Sequence, residues 1–322
     1  MNRKLGLLLA ALFASARAPE PGRATPGPVR HAKITILSTM LADEGVGEWG
    51  FSALVEASGH RILFDTGHHP DTVLRNAKEL KLDLSDVEDV VLSHNHDDHT
   101  GGLVALRSAF REKNPRALSR AHVATGIFLS RRATADGSEE NPMIATRERY
   151  EALGGAFVEH AGPAEIFSGI WLTGPVPRPH PERNWSTKGL VATADGFRED
   201  TIPEDQSLVL DTDRGLVVLS GCGHAGIVNT LEYARARVRD VGIHSAIGGF
   251  HLFNASDAAL EWTASSLRAL GVESFVGAHC TGIEATFYIR SHAGLARSTC
   301  VVGAVGASFT LGKGIDPLAL AR

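Results

Sequence analysis

Residues 89–102, Asp89-Val-Val-Leu-Ser-His-Asn-His-Asp-Asp-His-Thr-Gly-Gly102, decide how this chain is read. The stretch 89–92 is short and largely apolar, as a strand buried on both faces requires. It hands the chain directly to His94, His96, Asp97, Asp98 and His99, so the cluster begins at a strand end. Side chains alternate along extended backbone, and His94 and His96 therefore project the same way. Asp98 and His99 turn towards a neighbouring position, which gives ligands for two adjacent metal ions. Gly101-Gly102 leaves the backbone room to turn away. Imidazole with carboxylate suits zinc, manganese or iron rather than calcium.

Upstream of this stretch, residues 34–37, 51–56 and 61–64 read as strands. The last two are joined through Ala57-Ser-Gly-His60, a hairpin-type connection. Residues 71–81 carry helical periodicity, with Val73, Leu74, Ala77 and Leu80 on one side. Downstream, 102–111 reads as a helix and 122–125 as a strand, whereas 131–162 is polar and is expected to be a surface insertion able to cover the site. A second hairpin spans 207–210 and 216–219, a helix follows over 226–239, and two further strand-then-turn units end at His251 and His279. There is no internal sequence repeat, yet strand-rich and helix-rich stretches alternate in both halves, which predicts an α/β protein built as a four-layer αββα sandwich.

The 322 residues are 43% hydrophobic and 21% charged, enough for a sizeable core. One catalytic domain is expected over 33–312, followed by a tail at 313–322. Residues 1–18 combine a basic start, an apolar run and small residues around Ala14-Ser15-Ala16 and Ala18, the pattern of an export signal. Residues 19–32 then form a Pro- and Gly-rich leader. This predicts a periplasmic or secreted protein, and a cytoplasmic one if that segment is not a signal. The apolar run falls short of the roughly 20 residues a bilayer span needs, so no stable membrane insertion is expected. A net charge of −5, with no basic run, gives no reason to expect a nucleic-acid partner, and a small-molecule substrate is expected instead. Cys222, Cys280 and Cys300 are too few and too widely spaced for a disulfide framework. Oligomeric state is left open.

Ser93-His-Asn-His-Asp-Asp-His99 resembles the HxHxDH signature of the metallo-β-lactamase superfamily, and Asp65 in Phe64-Asp-Thr-Gly67 looks like its first motif, an aspartate that orients the metal loop. Further stretches are similar to the subgroup of 7,8-dihydropterin-6-yl-methyl-4-(β-D-ribofuranosyl)aminobenzene 5'-phosphate synthase-like proteins. They are Trp49-Gly-Phe-Ser-Ala-Leu-Val-Glu56, Leu172-Thr-Gly-Pro-Val-Pro-Arg178, Ser220-Gly-Cys-Gly-His-Ala-Gly226, Gly248-Gly-Phe-His-Leu252 and Ala278-His-Cys-Thr-Gly282. The resemblance implies one metal on His94 and His96 and a second on Asp98, His99 and His279. It also exposes two departures. The usual glycine-histidine before the second hairpin is replaced by Thr173-Gly-Pro-Val-Pro-Arg178, and the usual bridging aspartate by Gly221-Cys-Gly-His224. His224 is therefore expected to replace the missing histidine as a ligand. Cys222 reads equally as a thiolate ligand or as a small buried thiol.

His251 is open to three readings, ligand, proton relay or hydrogen-bond donor to substrate, and a place outside the ligand set is favoured. Arg178 reads either as a clamp for an anionic substrate group or as a surface ion pair. His68 and His69 follow Asp65 closely enough to lie near the mouth of the site. Two zinc ions, with manganese or iron as alternatives, would activate water for attack on a phosphoester, lactone or thioester. Asp98 would serve as ligand and proton acceptor, with Asp97 or His251 as other exits for the proton. The chain has neither a Gly-x-Ser-x-Gly elbow nor a phosphate-binding loop. A synthase-like transferase, an iron-dependent redox enzyme and a non-catalytic metal- or ligand-binding protein remain as alternatives.

Overall fold

The computed structural model describes residues 27–185 and 188–319. In chain order the first half runs β1 (Ala32–Ser38), β2 (Ser52–Ala57), β3 (His60–Phe64), α1 (Thr72–Glu79), β4 (Asp89–Val91), α2 (Asp97–Thr100), α3 (Leu103–Arg111), β5 (Arg120–Ala124), β6 (Arg131–Arg132), α4 (Pro142–Ala152) and β7 (Ala156–His160). The second half adds β8 (Ala164–Phe167), β9 (Ile170–Leu172), β10 (Leu190–Thr193), β11 (Gly196–Glu199), β12 (Ser207–Thr212), β13 (Gly215–Ser220), α5 (Ile227–Arg237), β14 (Ile243–Gly248), α6 (Asp257–Ala269), β15 (Ser274–Gly277), α7 (Ile283–His292), β16 (Cys300–Val302), β17 (Ser308–Thr310) and β18 (Gly314–Asp316).

Two sheets face each other. One orders its strands β18-β17-β1-β2-β3-β4-β5-β7, the other β16-β15-β14-β13-β12-β9-β8, and β11-β10-β6 make a small third sheet. Strand periodicity explains the layers. Ile34, Ala53, Val55, Ile62 and Phe64 of the first sheet meet Leu208, Leu210, Val217, Leu219 and Ile247 of the second in the central core. The alternate residues Leu37, Leu54 and Leu63 point outward and are covered by α1, α3 and α4. Leu216, Val218 and Ala246 likewise point outward beneath α5, α6 and α7. Both faces of the central strands are buried, which is why they read as continuous apolar runs. The result is the expected αββα sandwich.

Three expectations are corrected. Residues 131–162 are not an insertion: they supply β6, α4 and β7, and β7 pairs in parallel with β5 as the edge of the first sheet. The leader ends earlier than Arg30, because Val29 is fully buried and its N–H donates to the Asp211 carbonyl at 2.7 Å. The tail starts later, because β18 pairs with β17. The expected signal at 1–18 and the first part of the leader lie outside the described residues, as does the end of the tail. Among the described residues no helix is long and apolar enough to cross a membrane.

Candidate metal centre

Each candidate residue follows the C-terminal end of a strand. Asp65 follows β3, His94 to His99 follow β4, Cys222 and His224 follow β13, His251 follows β14, and His279 follows β15. Sites of α/β proteins collect at this edge because the loops there open away from the sheet. Asp65, His251 and His279 have φ of 52°, 49° and 47°. Left-handed backbone costs an L-residue about 1–2 kcal/mol, and such strain persists where surrounding structure over-determines it. Gly101 is required by close approach: a Cβ there would lie 1.9 Å from the His68 carbonyl oxygen.

The hydrogen bonds around the cluster fix the imidazole tautomers. Fully buried Asp65 accepts the Ser93 N–H at 2.7 Å on Oδ1, and the Ser93 hydroxyl at 2.8 Å and His99 Nδ1–H at 2.7 Å on Oδ2. With its proton given to Asp65, Ser93 Oγ accepts from His94 Nδ1–H at 2.9 Å. His224 Nδ1–H donates to the Asn184 carbonyl at 2.5 Å. All three rings thus spend Nδ1–H on outward partners and aim an Nε2 lone pair inward. The Nε2 atoms of His94 and His224 face each other at 3.2 Å. Two acceptors at that distance repel unless a cation lies between them, and the donor set fits a divalent metal.

Five overlapping groups of three have donor atoms within 4.8 Å of one another, and two of them, the trios His94, His96 and His224, and Asp98, His99 and His279, consist of imidazole and carboxylate without a cysteine. Burial and the surrounding imidazoles hold His94 and His224 well below the ordinary histidine range. Burial, only partly opposed by Asp98, brings His96 down to about 4. These rings are neutral at pH 7, the form that ligates. Burial opposes ionisation of Asp98, but His99 and His279 outweigh it and hold the carboxyl below the usual carboxylate range. His279 Nε2 lies 3.2 Å from Asp98 Oδ2.

The structure therefore brings together His94, His96, Asp98, His99, His224 and His279. His251 stands at the edge of the cluster, its ring 4.8 Å from that of His224, and it also lines a cleft of about 570 Å³. Trp185, Trp262 and Asn184 line the same cleft. Arg178 does not present itself as an anion clamp there. Its guanidinium donates to the Ile202 carbonyl and lies over the Trp185 ring, so it meets the cleft only through that indole. Nor does it form an ion pair among the described residues. The His68 and His69 rings lie 4.5 Å apart outside the trios, and their N–H groups are tied to the buried Glu48 carboxylate. Asp97 is exposed and borders two smaller pockets instead.

Sequence reasoning missed Cys280, whose Sγ lies 3.2 Å from Cys222 Sγ. Its place beside His279 was the available signal. It also missed the brace behind the metal loop: Glu204 Oε1 accepts the Asn95 N–H, and its Oε2 accepts from buried Arg131 at 2.5 Å. Arg131 lies in the segment read as an insertion, and nothing in local spacing links it to Asn95.

An αββα sandwich with an imidazole–carboxylate cluster at the strand ends defines a hydrolase-like fold with a candidate metal centre. The chain belongs to the metallo-beta-lactamase superfamily, whose sequence profile matches residues 50–238, and to the subgroup of the dihydropterin-ribofuranosylaminobenzene phosphate synthase. It is 31% identical over 277 residues to the 7,8-dihydropterin-6-methyl-4-(beta-D-ribofuranosyl)-aminobenzene-5'-phosphate synthase of Methanocaldococcus jannaschii, covering 80% of this chain and 90% of that protein. The crystal structure of Tm1679, described as a metal-dependent hydrolase of the beta-lactamase superfamily, aligns with a TM-score of 0.70 at 28% identity, covering 86% of this chain and 98% of that one. The metallo-beta-lactamase fold protein YhfI of Bacillus subtilis aligns at 0.54 with 10% identity, covering 87% and 99%, a likeness of fold alone.

Proposed function

We propose that this protein is a metal-dependent hydrolase that delivers water to an ester-type substrate, a phosphoester, lactone or thioester, held in the cleft beside His251. The observation that carries the reading is the tautomer pattern, in which His94, His99 and His224 each give Nδ1–H outward and converge through Nε2. Two ions, one per trio, match the donor count, with zinc preferred to manganese or iron. The chemistry such an ion would supply there is a bound water whose pKa falls from 15.7 towards about 7, and polarisation of an acyl or phosphoryl oxygen.

The residues divide the remaining work. Asp65 and Ser93 keep the rings in the ligating tautomer. Asp98, ionised and paired with His279, keeps negative charge at the centre. His251 joins cluster and cleft, and its buried Nδ1 has no hydrogen-bond partner among the described residues. That free nitrogen can take the proton of the attacking water or hold a substrate oxygen. Trp185 and Trp262 offer aromatic surface, and Asn184 an amide, to the part of the substrate that does not react.

The test is elemental analysis of purified protein together with turnover of a phosphodiester, lactone and thioester panel before and after chelation. Asp98→Ala should abolish chelator-sensitive hydrolysis with the fold retained, and near-normal turnover by that variant would sink the assignment. The 31% identity along most of a named synthase favours a second reading, group transfer at the same centre. Following whether water or a second organic substrate enters the product separates the two.

A further inference from the structure

The cleft beside His251 has one wall in Pro181 to Trp185 and another in Ala258, Ala259 and Trp262 of α6. Among the described residues that line it only Glu182, Arg183 and His251 are ionisable. The first two have their charges engaged inside the protein. Arg183 Nη2 donates to Glu199 Oε1 at 2.9 Å, and the same oxygen accepts the Trp185 indole N–H at 2.8 Å. The remaining polar lining, Asn184, Asn254, Ser256 and Thr263, is neutral.

Glu182 is held more firmly still. Its carboxylate lies on the first turn of α5, where Oε1 accepts the Val228 N–H at 3.1 Å and Oε2 the Asn229 N–H at 2.8 Å. A helix start offers unpaired N–H groups and the positive end of the dipole, which is where an anion from solution would bind. Here the chain's own anion fills that place. The turn before the helix is shaped around it, since a Cβ on Gly226 would lie 2.2 Å from Glu182 Oε2. The segment that delivers the carboxylate is fastened on both sides. On one side the His180 N–H donates to Asn229 Oδ1 at 2.9 Å, and Asn229 Nδ2 donates back to the His180 carbonyl at 3.2 Å. On the other the Asn184 amide donates to the Gly223 and Phe250 carbonyls, both at 3.3 Å. A substrate anion displaces Glu182 only by undoing these bonds.

We infer that the cleft receives an uncharged, apolar arm of the substrate, and that Glu182 is the residue that rejects anionic arms. An anionic arm would lose its hydration, meet a fixed carboxylate at the helix start, and find no unengaged Lys or Arg on the cleft wall. A cationic arm gains little, because the α5 N–H groups already offset the charge of Glu182. An apolar arm is covered by Trp185, Leu252, Ala255 and the exposed ring of Trp262. This narrowing rests on the ester-hydrolase reading and concerns the part of the substrate in the cleft, not the atom attacked.

The test is zinc-dependent hydrolysis, by the full chain, of three phenyl acetates that carry a methoxycarbonyl, a carboxylate or a trimethylammonium group opposite the ester. Each rate is divided by that of alkaline hydrolysis of the same compound. The kcat/KM of the methoxycarbonyl ester should exceed that of the carboxylate by about tenfold, the worth of one well-placed charge contact, with the difference in KM rather than kcat. The trimethylammonium ester should do no better than the neutral one. Glu182→Gln should bring the carboxylate ester within about threefold of the neutral one, while Glu182→Asp, which keeps the charge, should keep the preference. Circular dichroism and zinc content check the fold of both variants, and the wild-type ranking decides the charge claim without either. Equal or better turnover of the carboxylate ester, a preference that survives Glu182→Gln, or a preference for the cation overturns this inference and leaves the hydrolase reading standing. No zinc-dependent turnover of any of the three overturns both.

Discussion

At the scale of single residues the centre depends on proton placement as much as on ligand identity. The Asp65 carboxylate accepts three hydrogen bonds and has no proton to donate, which forces His99 to carry its proton on Nδ1. Asp65→Asn puts an amide N–H in reach of that nitrogen and favours the tautomer whose Nε2 is protonated. Metal affinity should fall about 10- to 100-fold, as loss of such an outer partner typically costs. Chelator competition measures this, and affinity within twofold of wild type would show that the tautomer is not set by Asp65. His224→Ala removes one of three donors in its trio. Metal content per chain should drop, whereas unchanged content would place His224 outside the ligand set. The six trio residues could be named from the sequence because strand-end histidines, and the resemblance they carry, are local patterns. Cys280 was missed because its contact with Cys222 spans two strand-end turns 58 residues apart, a separation that spacing cannot reveal. Arg178 was left between an anion clamp and a surface ion pair because sequence does not show that Trp185 lies beneath its guanidinium.

At the scale of elements, the strands that build the central core were legible and the sheet edge was not. β2, β12 and β13 are buried almost throughout, as is the second half of β3, so their apolar runs announce them. β7 is an edge strand whose residues are mostly exposed or half-buried, and α4 buries only Met143 and Tyr150. Their polar composition reflects solvated faces of real elements rather than a loop. The parallel strands β4 and β5 are joined by one ion-pair network. Asp89 on β4 meets Arg120 Nε and Nη2 at 2.7 Å and His122 Nε2 at 2.9 Å on β5. Burial would raise this carboxyl, but Arg120 and His122 outweigh it and bring it from 3.8 to about 2. A depressed acid contributes stability that is complete above its unfolded value and lost as pH falls through its folded one. Asp89 should therefore contribute about 2 kcal/mol at pH 7. Asp89→Asn should be less stable than wild type by about that amount in urea at neutral pH, with the gap narrowing as pH falls from about 4 towards 2. A gap independent of pH would show that packing, not charge, is lost.

At the scale of the whole molecule the centre is a joint between the two sheets. His94, His96, Asp98 and His99 hang from β4 of the first sheet, while His224 and His279 hang from β13 and β15 of the second. Each trio draws donors from both sheets, so an ion that binds a trio binds the two halves of the sandwich to each other. In the unfolded chain those ligands are dispersed, and metal binding becomes folding free energy. At free metal about a thousandfold above Kd the linkage is worth about 4 kcal/mol. Each kcal/mol shifts Tm by roughly 2–4 °C for a domain approaching this size. Chelation of the purified protein should accordingly lower Tm by about 10 °C, and zinc added back should restore it. Because the trio of His94, His96 and His224 already joins the sheets, His224→Ala should shrink that shift. A Tm indifferent to chelator in wild type, with metal shown to leave, would mean that the sandwich is held by its core alone and that the ions are guests at its edge.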